Sequence, residues 1–109
     1  MLVTFVSSET GEILMFSEVA RVLLSAMGKE CTAKGAFVQN EMLAAAQRLR
    51  TAVKRGEAPE LVNDEGGDED RRQVPVGLGP RAWPLIDMLE RSAKGGEKAN
   101  VVWTAAADF

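Results

Sequence analysis

The chain has 109 residues, of which 46% are apolar and 27% are charged, and its formal net charge is −3. These proportions are typical of one soluble globular domain, and no apolar run approaches the ~20 residues that span a bilayer, so we expect no membrane partner. Histidine and tyrosine are absent and Cys31 is the one cysteine, which excludes an internal disulfide and leaves few of the side chains most used in catalysis. The short apolar start lacks the basic leader of a secretory signal, so we expect a cytoplasmic protein.

Two short apolar runs at the start of the chain predict a β-hairpin. Residues 1–7 and 12–16 are rich in strand-forming side chains, and the Glu-Thr-Gly sequence at 9–11 is typical of a turn. A competing interpretation extends the next helix backward, because apolar residues also recur at helical spacing: Ile13, Phe16, Ala20, Leu23 and Met27. We favour the hairpin, since Ser17 suits the N-cap of a helix that begins after the second run.

Two helices are predicted next. The first starts at Ser17 and ends at Gly28, which suits the left-handed position that follows a helix. Its apolar stripe is Val19, Val22, Leu23, Ala26 and Met27. A loop over residues 29–35 leads to Asn40, the predicted N-cap of the second helix, which ends at Gly56 after a basic last turn. The second stripe is Met42, Ala45, Ala46, Leu49, Ala52 and Val53.

The middle of the chain is strongly acidic. Residues 57–72 carry seven acids and two bases, a net charge of −5, whereas the rest of the chain has a net charge of +2. This segment also contains Pro59 and two glycines, and it has too little apolar surface to offset the entropy lost on ordering. We therefore predict an internal acidic mobile loop over residues 57–73. A linker is the interpretation we favour, and an acidic partner-binding tract is the alternative.

A third helix and a third strand complete the prediction. Pro80 and Pro84 lie four residues apart, so the regular helix is expected to start at Pro84 and to end at the next Gly-Gly pair. Residues 100–104 are expected to form a strand that joins the hairpin, and residues 105–109 a loose tail. The predicted fold is a single α+β domain over residues 1–109: a small antiparallel sheet packed with three helices, in the order β-β-α-α-(acidic loop)-α-β.

Several segments of the chain together resemble one family. The most specific of them is Arg81-Ala82-Trp83-Pro84-Leu85-Ile86-Asp87-Met88-Leu89. The others are Met1-Leu2-Val3-Thr4-Phe5, Met15-Phe16-Ser17-Glu18-Val19-Ala20 with Leu24 and Met27-Gly28-Lys29, Gly35-Ala36 ahead of Ala45-Ala46 and Leu49, and Val102-Trp103. In these residues, and over nearly its whole length, the chain resembles the uncharacterised bacterial domain of unknown function 1840 family. No activity, cofactor or catalytic residue is established for that family, so the resemblance implies nothing about function.

The sequence contains no motif for a cofactor or a metal. There is no GxxxxGK[ST] phosphate loop, and the Gly-Leu-Gly-Pro segment at residues 77–80 lacks the third glycine of a dinucleotide loop. The acidic residues 64–70 miss the spacing of an EF-hand loop. Helix two carries a basic cluster of Arg48, Arg50, Lys54 and Arg55. This cluster has no interleaved aromatic residues, so nucleic acid is not an expected partner, and we predict no cofactor and no metal.

Catalytic groups are equally scarce. Cys31 has no histidine to activate it and is expected to be a structural residue. Ser7 and Ser17 are better explained as turn and cap residues than as nucleophiles, and the carboxylates of helix three are expected to form surface ion pairs. We predict no catalytic residue.

The strand pattern predicts where the protein makes contacts. Apolar side chains occupy both faces of the predicted strands, with Val3, Phe5, Ile13, Met15, Val101 and Trp103 on the odd positions and Leu2, Val6, Leu14, Phe16 and Val102 on the even ones. Three short helices cover one face well, so the second face is expected to bind a second copy, as a homodimer, or an unidentified protein partner. Leu14 and Val102 are candidate partner contacts. Trp83 is a third, for which a core position is the favoured alternative.

Two classes of function remain. The favoured one is a small noncatalytic cytoplasmic interaction or accessory module, because catalytic residue types are so scarce. The alternative is a small enzyme or ligand-binding protein that uses carboxylate, lysine or backbone groups. A stoichiometric protein partner would support the first class, and a tightly held metabolite would support the second.

Overall fold

The computed structural model describes residues 1–57 and 74–109, which form a four-stranded antiparallel sheet and three α-helices. In chain order the elements are β1 (Leu2–Ser7), β2 (Glu12–Phe16), α1 (Ser17–Ala26), β3 (Lys34–Val38), α2 (Gln39–Glu57), a short 3-10 helix (Val76–Leu78), α3 (Gly79–Ala93) and β4 (Asn100–Thr104). The predicted α+β class is confirmed. Of the predicted acidic loop, residues 58–73 lie outside the described residues.

The sheet has the strand order β2-β1-β4-β3, and every neighbouring pair is antiparallel. β1 and β2 form the predicted hairpin, and β4 pairs with β1, so that Phe5 lies opposite Trp103. The prediction that the last strand joins the hairpin is therefore confirmed. β3 is a strand that the sequence analysis missed, and in it Gly35 lies opposite Trp103 on the other side of β4.

One face of the sheet forms the floor of the hydrophobic core. Its side chains occupy the odd positions of all four strands and are buried or partly buried: Val3, Phe5, Ser7, Ile13, Met15, Gly35, Phe37, Val101 and Trp103. Trp103 is central, because its ring centroid lies 6.3 Å from that of Phe5 and 5.4 Å from that of Phe37. The indole Nε1 of Trp103 donates a hydrogen bond to the carbonyl oxygen of Thr32 at 2.9 Å. The predicted core position of Trp103 is confirmed.

The helices cover this floor. α1 begins after the second strand as predicted, but its N-cap is Phe16 and no side chain caps it, so the predicted N-cap role of Ser17 is wrong. The helix ends in a turn where Gly28 has a φ of 82°, a left-handed conformation that glycine adopts without strain. The amides of Gly28 and Lys29 close the turn on carbonyls of the last helical residues, the hydrogen-bond pattern of a Schellman motif. α2 and α3 run in opposite directions, since Gln39 at the start of α2 donates to the carbonyl of Ala93 at the end of α3.

Three helix boundaries of α2 and α3 differ from the prediction. α2 starts at Gln39, so Asn40, the predicted N-cap, lies inside the helix. α2 continues through Gly56 to Glu57, and α3 starts at Gly79, so that Pro84 lies inside the helix instead of at its start. Proline 84 removes one hydrogen bond near the N-terminus of α3. Burial of Ala82 and Leu85 on the core side holds the first turns in place despite that loss.

The C-terminal residues 105–109, for which a loose tail was expected, are held by hydrogen bonds. The amide of Ala105 donates to Ala33 and the amide of Phe109 donates to Cys31, while a carboxylate oxygen of Asp108 accepts from the amide of Ala33. These bonds attach the segment that follows β4 to the loop that precedes β3. Phe109 is partly buried and packs against the core. The expectation failed because every partner of this segment is distant in the sequence.

Candidate functional site

The face of the sheet opposite the helices carries most of the large exposed hydrophobic side chains of the described residues, and we call it the outer face. It is formed by the even positions of the four strands. Large hydrophobic side chains on it are about half exposed: Leu2 (51%), Val6 (45%), Leu14 (50%), Phe16 (59%) and Val38 (53%). Val102 is partly exposed in the middle, and Ala36 is exposed beside it. Successive side chains of a strand point to opposite faces of the sheet, so the residues that alternate with the core-facing ones face solvent.

The apolar residues of the outer face are neighbours in space. Val6 lies opposite Val102, and Val102 lies opposite Ala36, which gives an apolar row across three strands. Leu2 lies opposite Phe16 on the neighbouring pair of strands. Four strands spaced by about 4.8 Å and five residues of about 3.4 Å each give a face of roughly 300 Å² in projection. Exposed hydrophobic residues that cluster in this way mark contact sites more often than scattered ones do.

Charged side chains border the outer face at opposite edges. Glu12 lies at the β2 edge and Lys34 at the β3 edge, and both are exposed. Thr4, Thr104 and Asn100 supply the polar positions between them. The face is therefore apolar in the middle, acidic on one side and basic on the other.

The structure places the three predicted contact residues on two different surfaces. Leu14 and Val102 both lie on the outer face. Trp83 lies on α3, on the helical side of the molecule, where its side chain is 40% exposed, so its favoured core position is wrong. The guanidinium of Arg50 lies 5.4 Å from the centre of the Trp83 ring, and both Nη2 contacts of that guanidinium to the Glu90 carboxylate are 2.9 Å.

Sequence reasoning missed one side of the candidate site. Val38 and Ala36 belong to the outer face, but they lie on β3, for which no strand was predicted. β3 is a short strand in which Phe37 is fully buried and its two neighbours, Ala36 and Val38, are exposed. A single buried residue beside a glycine is too little periodicity to identify a strand.

The free edge of β3 is closed by side chains. Lys29 Nζ donates to the carbonyl of Ala36 at 3.1 Å, and the Thr32 hydroxyl donates to the carbonyl of Lys34 at 2.6 Å. The amide of Val38 donates to the Glu41 carboxylate at 2.9 Å. Lys29 Nζ also lies 2.9 Å from the same carboxylate oxygen. Main-chain groups that an added strand would need are therefore already bonded along this edge.

Glu41 makes this edge sensitive to acid. Burial raises the pKa of the Glu41 carboxyl, but hydrogen bonds from Lys29 and from the amide of Val38, together with the charge of Lys29, outweigh burial and lower the pKa below its ordinary value of 4.5. A folded-state pKa that is depressed contributes stability at neutral pH, and this contribution is lost as the pH falls through the folded-state value.

We predict that the difference in unfolding free energy between the wild type and Glu41→Gln shrinks as the pH falls below about 4.5, the ordinary carboxyl value. Glutamine keeps the shape of the side chain and removes the charge, so the wild type should be the more stable protein at neutral pH. Denaturant titrations of both proteins between about pH 3 and pH 7 measure this difference. A difference that stays constant through the acid range would contradict the role given to the carboxylate.

Several polar groups elsewhere have structural partners, whereas Arg55 Nε is buried without a hydrogen-bond partner among the described residues. The Ser7 and Ser92 hydroxyl oxygens are 2.6 Å apart and join β1 to α3, and Ser7 Oγ also accepts the amides of Glu9 and Thr10. The predicted turn role of Ser7 is confirmed. Cys31 is a partly exposed free thiol that donates a long hydrogen bond to a carbonyl of α1. Within residues 1–57 and 74–109, no three or more acidic or cysteine side chains are grouped as metal ligands, and no helix is long and apolar enough to cross a bilayer.

Comparison with known protein families identifies the family of this chain. It matches the family Domain of unknown function (DUF1840) over residues 1–103. The chain belongs to this family. The DUF1840 match contains every strand of the outer face except the last residue of β4. No curated protein and no solved structure is significantly similar to the chain.

Proposed function

We propose that this DUF1840 protein is a small noncatalytic interaction module of the bacterial cytoplasm, and that its outer face binds a second copy of the chain. The observation that carries the proposal is the exposed apolar row that runs from Val6 through Val102 to Ala36. A second sheet packed on this face would remove its half-exposed apolar side chains from water, which is favourable. The free Cys31 thiol is consistent with a reducing compartment.

The charges of the outer face favour a two-fold contact over any other arrangement of two copies. A two-fold axis that runs parallel to the strands, between two facing sheets, places β2 of one copy over β3 of the other. Each Glu12 then lies near the partner's Lys34, and each Val6 lies over the partner's Val102. An axis parallel to the sheets but perpendicular to the strands would instead place β2 over the partner's β2, which brings the two acidic edges together and keeps each Glu12 away from the partner's Lys34.

The size of the face predicts the strength of the contact. A standard protein interface buries about 800 Å² of accessible surface on each partner, and this face, of roughly 300 Å² in projection, is smaller than that. We therefore expect a dissociation constant in the micromolar range rather than an obligate assembly.

Native mass spectrometry of the purified protein tests this proposal against its alternative. Particles whose mass is a multiple of the 11.8 kDa chain, appearing at micromolar concentration, support the interaction module. A single chain that carries a stoichiometric small molecule would contradict the proposal and support a ligand-binding protein or a small enzyme.

A further inference from the structure

The two edges of the sheet differ in whether their main-chain groups are satisfied. The amide of Ser7 donates to the carbonyl of Gly11, and the amide of Ser17 donates to the carbonyl of Met1. These bonds join odd-numbered residues of the hairpin. Because hydrogen-bonded and non-hydrogen-bonded pairs alternate in an antiparallel ladder, the N–H and C=O groups of Leu14 point away from β1, into solvent.

Among the described residues, no side chain is hydrogen-bonded to the free edge of the sheet at β2. The β3 edge has three such closing contacts, from Lys29, Thr32 and Glu41. No corresponding side-chain bond reaches the outward N–H and C=O groups of Glu12 and Leu14. Natural sheets protect their free edges because an unprotected edge is a template for another strand. One edge of this sheet is thus closed and the other is open.

We propose that β2 pairs with β2 of a second copy, antiparallel about a two-fold axis through Leu14, so that two four-stranded sheets join into one continuous sheet. Leu14 is the central residue of the five-residue strand, and both of its main-chain groups face outward. A two-fold axis at this residue sets Leu14 opposite the partner's Leu14, where the two residues exchange both hydrogen bonds.

Charge and packing fit this register. Glu12 lies opposite the partner's Phe16, which leaves the two Glu12 residues four positions apart, about 14 Å along the strand, and places no like charges directly opposite each other. On the core side, the partly exposed Ile13 gains the partner's Met15 as its cross-strand neighbour. A shallow groove of about 260 Å³ runs beneath β2 between Ile13 and α3, so helix α3 does not fill the space under the edge.

This contact goes beyond the face contact and does not rest on it. The face contact uses side chains in the middle of the sheet, whereas the edge contact uses main-chain groups of β2. The edge axis is perpendicular to the sheet beside β2, whereas the face axis runs parallel to the strands over the middle of the sheet. The two axes do not meet, so a chain that makes both contacts forms an open assembly rather than a closed one.

Hydrogen exchange measured by NMR tests the edge contact directly. The experiment uses the variant Val102→Glu, which is designed to remove the face contact. Val102 lies on β4, two strands away from β2. The amide of Leu14 should exchange at least about tenfold more slowly at ~1 mM than at ~10 µM protein, because pairing with the second copy occupies it. A Leu14 amide that exchanges at one fast rate at both concentrations would overturn the proposal, and leave the edge open to a strand of a different protein.

A pair of substitutions at Leu14 provides a second, independent test in the same Val102→Glu background. Leu14→Pro removes the outward N–H without removing a bond to β1, and Leu14→Val keeps both the N–H and an apolar side chain. By sedimentation at ~100 µM, the valine variant should remain a dimer, while the proline variant should be a monomer. Equal masses for the two variants, whether monomer or dimer, would overturn the edge contact without affecting the face contact.

Discussion

Gly35→Ala is expected to destabilise the fold by about 2 to 3 kcal/mol, the range for overpacking a buried site. A Cβ at Gly35 would overlap the six-membered ring of Trp103. That ring has no free direction in which to move, because Phe5 and Phe37 lie against it and its Nε1 is bonded to Thr32. The alanine must therefore displace either the indole or β3.

Gly77→Ala is the matched control for this substitution. Gly77 lies in the short 3-10 helix, and no atom of the described residues lies within 4 Å of a Cβ at that position. Denaturant unfolding of both variants should be done at one protein concentration, because self-association adds to apparent stability. Equal unfolding free energies for the two alanine variants would contradict the close packing of Trp103 on Gly35.

Val102→Glu is expected to lower the mass of the assembled particle and to weaken the face contact at least about 100-fold, which is about 2.8 kcal/mol. Val102 lies in the middle of the outer face, so the two-fold contact would bury two carboxylates in its apolar row. Burying an uncompensated charge costs about 3 to 5 kcal/mol. Leu14→Glu should act in the same direction, since Leu14 lies on the same face.

The fold of the variant serves as the internal check. Val102 is partly exposed in the single chain, so a glutamate there faces solvent and leaves the core unchanged. The far-ultraviolet circular dichroism spectrum should match that of the wild type while light scattering reports the lower mass. An unchanged mass with an unchanged spectrum would exclude Val102 from the contact.

Strands β1, β2 and β4 could be predicted because their signal is local. Each is a run of strand-forming, mostly apolar residues over five or six positions, and the odd positions proved to face the helices while the even positions face solvent. β3 could not be predicted in this way. Its place in the sheet depends on Gly35 and Phe37 meeting Trp103 and Val101, more than sixty residues away in the sequence.

The helices show the same division between local and distant information. The end of α1 at Gly28 follows from capping chemistry within a few residues. The start of α3 does not follow from local chemistry, because packing of its first turn against the core outweighs the bond that Pro84 removes. The side chain of Trp83 likewise contacts Arg50, a residue of a different helix.

The candidate site was half visible in the sequence. The even positions of three strands indicated an uncovered apolar face that includes Leu14 and Val102. Which edge of the sheet is open could not be read from the sequence, because the groups that close β3 come from the loop and the helix on either side of it. Lys29 and Glu41, twelve residues apart, meet only once α1, β3 and α2 are packed.

Sedimentation equilibrium of the wild type, Val102→Glu and Leu43→Glu tests the outer face most directly. Leu43 is the matched control, since it is a large hydrophobic residue, 60% exposed, on the helical side of the molecule. Between about 1 and 100 µM, we expect the wild type and Leu43→Glu to form the same assembly, and Val102→Glu to form one of lower mass, no larger than the edge-paired dimer. A wild-type mass of 11.8 kDa throughout this range, or an equal loss of mass in both glutamate variants, would contradict self-association through the outer face.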